Sequence, residues 1–340
     1  MRVLLTGHTG YLGTVMAPEL EEAGHDVVGL DSGLFAGCLL GPAPKDPPSI
    51  DVDLRDLRPE HLEGYDAVVH LAALSNDPLG SLAPELTYDI NHHASVRLAE
   101  LAKDAGVGRY LYASTCSVYG ASGGGGLVDE DAPLRPVTPY AESKVRVEEE
   151  VSKLADDTFT PVYMRNATAF GFSPRLRADI VLNNLVGHAY LSGEVLVLSD
   201  GTPWRPLVHA KDIARAFTAA LEAPREAVHN RAFNIGTERN NVTVAEIAQE
   251  VVDAVPGSKL RITGEAGADP RSYRVDFSRF REAIPGFDCE WGVKDGALQL
   301  IDAYRDYELT KAQFERRFTR LNWLSDRQAD GSVDETLRRH

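Results

Sequence analysis

The sequence predicts an α/β fold in which a doubly wound parallel sheet is followed by a smaller C-terminal lobe. Through about residue 170, short apolar runs alternate with stretches of helical periodicity, which is typical of a parallel sheet with helices on both faces. A glycine-rich turn follows the first apolar run directly, and the alternation loosens after residue 170. The chain has 340 residues with 43% hydrophobic content, enough for one large domain and a smaller one.

The expected strands of the sheet are short and apolar, at residues 3–5, 27–30, 67–71, 110–113 and 162–164. Helices are expected near residues 11–24, 84–106 and 139–155. The pattern then predicts a helix near 179–191, a strand at 195–198, a helix at 210–223 and a strand at 232–235. We therefore expect a first domain over 1–170 and a second lobe over 171–325. The two are interleaved, because a strand and a helix near 205–240 should belong to the first domain. A polar tail follows over 326–340, where chain ends commonly fray.

Composition limits the classes of partner. The net charge of −16 and the pI of about 5.1 argue against a surface that binds nucleic acid or anionic membranes. Cys38, Cys116 and Cys289 are odd in number, widely spaced and without metal-ligand spacing, which favours a reducing compartment and no metal site. No apolar run approaches a membrane span, and the N-terminus enters a strand without room for a signal peptide. We expect a cytoplasmic protein.

The turn after the first predicted strand has the composition of a phosphate-binding loop. Its glycines permit a tight turn, and the following helix offers free N–H groups and a positive dipole end to a pyrophosphate. Asp31 ends the second strand, 24 residues after Gly7, where an acid accepts hydrogen bonds from the adenosine ribose. No arginine follows it, which favours NAD over NADP. The predicted domain is therefore a dinucleotide-binding (Rossmann) domain whose loop residues are Gly7, Gly10, Tyr11, Leu12 and Gly13.

A phenol and an amine lie one helical turn apart at Tyr140 and Lys144. Thr138 is a good N-cap and Pro139 a good first helical residue, so a helix should begin here. At positions i and i+4 the two side chains share one helix face. An ammonium group beside a phenol lowers the phenol's pKa from its usual value near 10, so the pair could exchange a proton with a sugar or alcohol hydroxyl. A solvated helix face often carries such a pair too, but the phosphate loop upstream favours the catalytic interpretation.

These motifs occur in an order that resembles one family. They are Gly7-x-x-Gly10-x-x-Gly13, Asp53-Leu54, His70-Leu71-Ala72-Ala73, Ser114-Thr115-Cys116-Ser117-Val118-Tyr119-Gly120 and Tyr140-x-x-x-Lys144. The chain is similar, to about residue 320, to extended short-chain dehydrogenases/reductases of the NAD-dependent sugar-nucleotide epimerase/dehydratase type.

The resemblance implies further cofactor contacts. It assigns Asp53 and Leu54 to the adenine and places Asn91 behind the nicotinamide. It also implies that Lys144 holds the nicotinamide ribose, and that the chain forms a homodimer through the helices near 85–106 and 139–155. The residues that it assigns to the middle of the cofactor are Leu71, Ala72 and Ala73.

Thr115 and the two residues after it bear on the reaction. Thr115 ends a predicted strand 25 residues before Tyr140, and its hydroxyl can share the charge that develops on a substrate oxygen. The alternative is a strand-end threonine that caps local backbone. Related 4,6-dehydratases carry an acid pair where this chain has Cys116 and Ser117, and related decarboxylases carry a glutamate at the second position. The usual dehydratase assignment is therefore disfavoured. Cys116 could contact the substrate in an atypical elimination, or could be a small buried residue.

The substrate side is assigned by the same resemblance. Arginine suits a diphosphate because its guanidinium group binds phosphate with two N–H groups. Arg205 and Arg271 resemble the family's two diphosphate-binding arginines, and Asn184 resembles the helix residue that meets the diphosphate or the ring. Thr168 stands where the family commonly has asparagine, so the chain departs from the family pattern at a position where a sugar contact is expected.

We therefore predict an NAD-dependent epimerase that acts on a nucleotide-diphosphate sugar. Tyr140, assisted by Thr115 and Lys144, would remove a hydroxyl proton, most plausibly at C4, while NAD takes the hydride, and the ketone would then be reduced on its other face. The sequence leaves four alternatives open: an NAD(P)H-dependent ketoreductase, an atypical dehydratase, a dehydrogenase of a small free alcohol, and a non-catalytic NAD-sensing module.

Overall fold

The computed structural model describes residues 1–75, 83–120, 126–265 and 272–340. The strands in chain order are β1 (Arg2–Thr6), β2 (Asp26–Asp31), β3 (Ser49–Asp51), β4 (Ala67–His70), β5 (Arg109–Thr115), β6 (Leu127–Val128), β7 (Thr160–Asn166), β8 (Thr168–Phe170), β9 (Glu194–Val197), β10 (Trp204–His209), β11 (Arg231–Ile235), β12 (Asn241–Thr243), β13 (Lys259–Ile262) and β14 (Arg274–Val275).

The α-helices are α1 (Gly13–Glu22), α2 (Pro84–Tyr88), α3 (Ala94–Asp104), α4 (Pro139–Val151), α5 (Val181–Ser192), α6 (Ala210–Glu222), α7 (Arg225–Val228), α8 (Val244–Ala254), α9 (Ser278–Ala283), α10 (Val293–Asp306) and α11 (Arg320–Ala329). A π-helical turn, Asp89–His93, joins α2 to α3, where the sequence predicts one helix. No helix in the described part of the chain is long and apolar enough to cross a membrane.

The first domain is built on a seven-stranded sheet with the order β11-β7-β5-β4-β1-β2-β3, and all of its pairs are parallel. This confirms the predicted doubly wound fold. The strand order reverses between β1 and β4, which opens a crevice at their carboxyl ends. The site described below lies at that crevice.

Helices cover both faces of the sheet because the central strands are apolar on both sides. In β1, Val3 and Leu5 belong to the core formed with α1 and α6, whereas Leu4 belongs to the core formed with α3 and α4. Residues in a strand alternate between faces, so an unbroken apolar run fills two cores.

The C-terminal lobe has its own apolar core. Leu182 and Val186 of α5 pack there with Ile247 of α8 and with Leu300 and Tyr304 of α10. In the three-stranded sheet β12-β10-β8, Leu207 of β10 packs in the core of this lobe and Val208 packs in the core of the first domain. The short strand β8 follows β7 after a single residue, so both lobes meet beside the carboxyl end of β7.

The last residues do not form the frayed tail that their polar composition suggests. Leu324, Val333 and Leu337 are buried together with Leu74 of the first domain. Arg339 donates to the carbonyl oxygen of Ser32 at 2.6 Å. Two apolar side chains within the polar segment 326–340, Val333 and Leu337, therefore hold it against the first domain.

Candidate active site

A cavity of about 660 Å³ lies at the carboxyl ends of the parallel strands. This volume is typical of small-molecule sites. Its lining contains most of the residues that the sequence assigns to a site: Gly7, Gly10, Tyr11, Leu12, Gly13, Asp31, Asp53, Leu54, Leu71, Ala72, Ala73, Thr115, Tyr140, Lys144, Asn184 and Arg205.

The phosphate loop needs glycine at two positions. Gly7 has φ +76°, and a Cβ atom there would lie 2.8 Å from the backbone nitrogen of Ala72. A Cβ atom on Gly13 would clash with the carbonyl oxygen of Gly7. The N-cap residue of α1 is Leu12, whose side chain makes no capping hydrogen bond. The positive dipole end of α1 lies at this loop, and the loop fits a pyrophosphate.

Two carboxylates lie at the adenosine end that the sequence predicts. Asp31 accepts the N–H groups of Thr9 at 3.0 Å and Gly33 at 2.8 Å. A carboxylate has about four acceptor positions, so Asp31 can also accept ribose hydroxyls. Asp53 pairs with Arg55 at 2.7 Å. Burial raises the pKa of Asp53, but the hydrogen bonds and charge of Arg55 outweigh burial and hold the pKa below its usual value.

Asn91 supports the cofactor side without lining the cavity. Its Oδ1 atom accepts the N–H of Leu74 at 2.7 Å, and its Nδ2 atom donates to the carbonyl oxygen of Leu74 at 3.0 Å. Both ends of the amide are thus used by the backbone after β4. The assignment of Asn91 to cofactor contact is corrected, because the side chain instead fixes the segment that carries Leu71 and Ala72.

The helix that carries the phenol and the amine begins where predicted. Thr138 Oγ1 accepts the N–H of Ala141 at 3.2 Å, and Pro139 is the first residue of α4. Tyr140 and Lys144 both line the cavity. An N-capped first turn fixes the backbone that carries both reactive groups.

Lys144 is almost fully enclosed, at 2% exposure. Its Nζ atom donates to the carbonyl oxygen of Ala113 at 2.7 Å and lies 4.6 Å from the centre of the Tyr112 ring. Burial lowers the pKa of Lys144 from 10.5 to about 7, and the charge of Glu148 opposes that shift. The amine can therefore change its protonation state close to neutral pH.

Glu148 anchors the elements behind the reactive groups. It accepts the Ser114 hydroxyl at 2.5 Å and pairs with Arg165 at 2.6 Å, with each side chain largely enclosed. It follows Lys144 by one turn of α4 and so ties that helix to β5 and β7. A buried and well hydrogen-bonded ion pair of this kind fixes the positions of α4 and β7 relative to each other. Removing one partner would leave the other as an uncompensated buried charge.

Thr115 combines both interpretations that the sequence allows. Its Oγ1 atom accepts the N–H of Ser117 at 3.1 Å, so it caps the short turn over Cys116–Tyr119. The residue also lines the cavity. Because capping uses a lone pair of the hydroxyl oxygen, its proton can still be donated towards a ligand.

The assignment of Cys116 to substrate contact is corrected by the structure. Cys116 is 1% exposed and belongs to the apolar core beneath the site. Its Sγ atom donates to the carbonyl oxygen of Arg165 at 3.1 Å. Burial raises the pKa of the Cys116 thiol, so the side chain stays neutral. The turn that begins after Thr115 directs this side chain into the core, whereas Ser117 lines the cavity.

On the substrate side, Arg205 of β10 and Asn184 of α5 line the same cavity. The neighbouring Asn183 is buried and bonds to both backbone groups of Gly171, so Asn184 is the asparagine that reaches the ligand space. Arg271 lies outside the described residues. Thr168, where the family commonly has asparagine, also lines the cavity.

The cavity lining also includes residues that the sequence assignments missed, among them Asn166, Arg177, Asp179, Tyr273 and Arg320. Asn166 precedes Thr168 by two residues, and its Oδ1 atom has no hydrogen-bond partner among the described residues. Asn166 and Tyr273 are each two residues from a position that the family resemblance had drawn attention to, Thr168 and Arg271, so the sequence offered a signal for both. Arg177 and Asp179 are charged residues just before an apolar helix, which is a weaker indication of a binding site. Nothing local distinguishes Arg320.

The chain resembles known proteins over most of its length. The model of the NAD dependent epimerase/dehydratase family matches residues 3–236. A UDP-glucose 4-epimerase from Lactobacillus helveticus is 28% identical over 313 residues, covering 84% of this chain and 91% of the relative. The structure of MoeE5 in complex with UDP-glucose and NAD has a TM-score of 0.77 at 28% identity, covering 91% of this chain and 100% of that one. DesIV from Streptomyces venezuelae, a dTDP-glucose 4,6-dehydratase solved with NAD, has a TM-score of 0.76 at 26% identity, covering 90% and 97%.

Proposed function

Because this chain belongs to the NAD-dependent epimerase/dehydratase family, with NAD as its cofactor, we propose that it interconverts the C4 epimers of a nucleotide-diphosphate sugar. One observation carries the proposal. Thr115, Tyr140 and Lys144 line a single cavity together with the phosphate loop and Arg205. A proton-transfer group, an oxyanion donor and a cation for the diphosphate thus share one space.

The residues have separate parts in this mechanism. NAD, when bound, supplies the acceptor and afterwards the donor of the hydride that the sugar carbon exchanges. Tyr140 takes the proton of the C4 hydroxyl, and Thr115 donates a hydrogen bond to the same oxygen as charge develops there. A protonated Lys144 stabilises the Tyr140 phenolate. After the keto sugar turns in the site, Tyr140 returns the proton.

The residues after Thr115 favour epimerisation over dehydration. Elimination of water requires a proton donor and a proton acceptor near C5 and C6. Cys116 is buried in the core with a raised thiol pKa, and Ser117 has only a hydroxyl to offer. Neither position provides the carboxyl group on which an elimination would depend.

Product mass tests the proposal. The purified protein is incubated with UDP-linked and dTDP-linked sugars, and the products are analysed by mass spectrometry and NMR. An epimerase gives a product of unchanged mass with inverted configuration at one carbon. Loss of water would establish a dehydratase, a gain of two hydrogens from added NAD(P)H would establish a ketoreductase, and no turnover with NAD bound would favour a sensing module.

The homodimer implied by the resemblance is also part of the proposal. The helices concerned, α2, α3 and α4, lie side by side. Tyr88 donates to Glu142 at 2.7 Å, and His92 lies 2.6 Å from Glu150. Their outer faces would pair with a second copy as a four-helix bundle. Light scattering on the purified protein would give twice the 37.1 kDa chain mass for a dimer.

A further inference from the structure

Arg320, the first residue of α11, is a buried cation that faces the cavity. It is 4% exposed, it lines the cavity, and its Nη1 atom has no hydrogen-bond partner among the described residues. The guanidinium carbon lies 4.4 Å from the centre of the Phe35 ring. Burial of a guanidinium group with an unused N–H donor is costly unless a ligand provides an acceptor.

A second guanidinium group faces the same cavity. Arg177 pairs with Asp179 at 2.9 Å and donates to the Ser75 hydroxyl at 2.9 Å. Asp179 is the carboxylate whose charge acts on both Arg177 and Arg320. Two guanidinium groups that share one carboxylate leave excess positive charge at this part of the cavity wall.

The neighbours of these arginines belong to the cofactor half of the site. Phe35, under Arg320, follows β2, the strand that ends at Asp31. Ser75, bonded to Arg177, follows Leu71–Ala73 on the segment after β4. Arg177 also lies near two cavity phenols, Tyr140 of α4 and Tyr11 of the phosphate loop. In contrast, Arg205, the arginine expected at the substrate diphosphate, comes from β10.

The phosphate loop alone would not neutralise the two negative charges of a bound pyrophosphate. Residues 6–13 contain no lysine or arginine, and the one histidine among them, His8, is buried. The loop therefore offers N–H groups and roughly half a positive charge from the helix dipole to a pyrophosphate that carries two negative charges. Guanidinium groups supply full charges and bidentate N–H donors for phosphate oxygens.

We propose that Arg320 and Arg177 form an anion subsite that binds the pyrophosphate of the dinucleotide, with Arg320 donating through its unpaired Nη1 atom. The C-terminal helix α11 thereby contributes to cofactor binding, although it lies beyond the residues that match the family model. The inference rests on the family's cofactor and not on which sugar is converted. A test made without sugar can therefore fail while the proposed epimerase activity stands.

Ligand binding to the variant Arg320→Met, freed of dinucleotide, tests the subsite by calorimetry. The ligands are NAD, ADP-ribose, adenosine and UDP. A lost charge-assisted hydrogen bond should weaken NAD and ADP-ribose binding by about tenfold or more, and leave adenosine and UDP unchanged. Arg327→Met is the matched control, because Arg327 lies on the same helix with a 39% exposed side chain paired to Asp330. It should change no affinity.

Thermal unfolding of the same ligand-free proteins separates binding from structure. If Arg320 serves a ligand, Arg320→Met removes a buried charge with an unused N–H donor and should keep or raise the melting temperature. Arg320→Lys keeps the positive charge but loses the pair of N–H donors of the guanidinium group. Its NAD affinity should lie between those of wild type and Arg320→Met. NAD affinity within twofold of wild type in Arg320→Met would overturn the proposal. So would a loss confined to UDP, or failure of both variants to fold, which would show a structural role.

Discussion

Lys144 Nζ lies 5.7 Å from the centre of the Tyr140 ring, while its hydrogen bond goes to the carbonyl oxygen of Ala113 at 2.7 Å. The amine is thus held by β5 and placed beside the phenol, rather than free on a helix face. Burial lowers its pKa to about 7, so the charge that would stabilise a Tyr140 phenolate is itself sensitive to pH near neutrality.

Replacing Tyr140 by phenylalanine tests the proton transfer. Tyr140→Phe keeps the ring and removes the hydroxyl, so turnover should fall about 10² to 10⁴-fold. NAD affinity should change little, because the ring remains. Single-turnover kinetics with excess enzyme measures the chemical step, and NAD titration provides the control. Turnover within a few-fold of wild type would rule out Tyr140 as the acid and base.

The buried amine predicts a pH-dependent stability. Below about pH 7, Lys144 is protonated in both the folded and the unfolded chain, and the cost of burying its charge is fully present. Between about 7 and 10.5 the folded protein has lost a proton that the unfolded chain still holds, so the free energy of unfolding rises with pH. The slope from this one group is at most about 1.4 kcal/mol per pH unit.

Urea unfolding of wild type and Lys144→Met at pH 7, 8 and 9 isolates that contribution. The contributions of the other titrating groups cancel when the free energy of unfolding of Lys144→Met is subtracted from that of wild type. The difference, wild type minus variant, should increase with pH over this range. A difference that stays constant or decreases would show that Lys144 keeps its ordinary pKa.

Cys116 should prove dispensable for the chemistry. Its sulfur is buried and bonded to the carbonyl oxygen of Arg165, so Cys116→Ala should keep kcat within about twofold while costing about 1 kcal/mol of stability. Thr115→Val is the paired variant, since it removes the adjacent hydroxyl that does line the cavity, and it should lower kcat. A large loss of kcat in Cys116→Ala with the fold intact would restore Cys116 as a reacting group.

The phosphate loop predicts a strict need for glycine at position 13. A Cβ atom there would clash with the carbonyl oxygen of Gly7, so Gly13→Ala should deform the loop and weaken NAD binding at least about tenfold. Gly108→Ala is the matched control, because its Cβ atom would meet nothing closer than 3.9 Å. NAD titration of both variants makes the comparison. Equal NAD affinities of the two variants would contradict the proposal that the pyrophosphate binds at this loop.

Arg205 is expected to bind the diphosphate of the substrate. Arg205→Ala should weaken UDP binding about tenfold or more and leave NAD affinity unchanged, because its partner phosphate belongs to the sugar nucleotide. Arg305→Ala, at a 62% exposed side chain, controls for the loss of one positive charge. Calorimetry with UDP alone is sufficient. Unchanged UDP affinity would place the diphosphate elsewhere in the cavity.

Local signals were enough to predict the central sheet and the helix that carries Tyr140 and Lys144. Strands such as β1 and β4 are buried on both faces, and a continuous apolar run is the mark of that burial. The N-cap at Thr138 fixed the phase of α4, so Tyr140 and Lys144 could be placed on one face from spacing alone. The strand β3 received no predicted range because its three residues are not buried.

Features that depend on distant contacts could not be read from the chain. Asn91 has the same helical context whether it meets a cofactor or holds Leu74, and only the fold decides between these roles. Cys116 turns into the core because of the turn that Thr115 caps. Arg320 lines the cavity in contact with Phe35, which lies far away in the sequence. In each case the deciding partner belongs to another element.

The central claim, epimerisation through transient oxidation at C4, is tested most directly with a nucleotide-diphosphate sugar that carries deuterium at C4. The reaction is run with catalytic NAD in ordinary water, and the products are resolved by NMR and mass spectrometry. We predict the C4 epimer with its deuterium retained at C4 and its mass unchanged. A product that has lost water, or a C4 epimer in which hydrogen has replaced the deuterium, would contradict the claim.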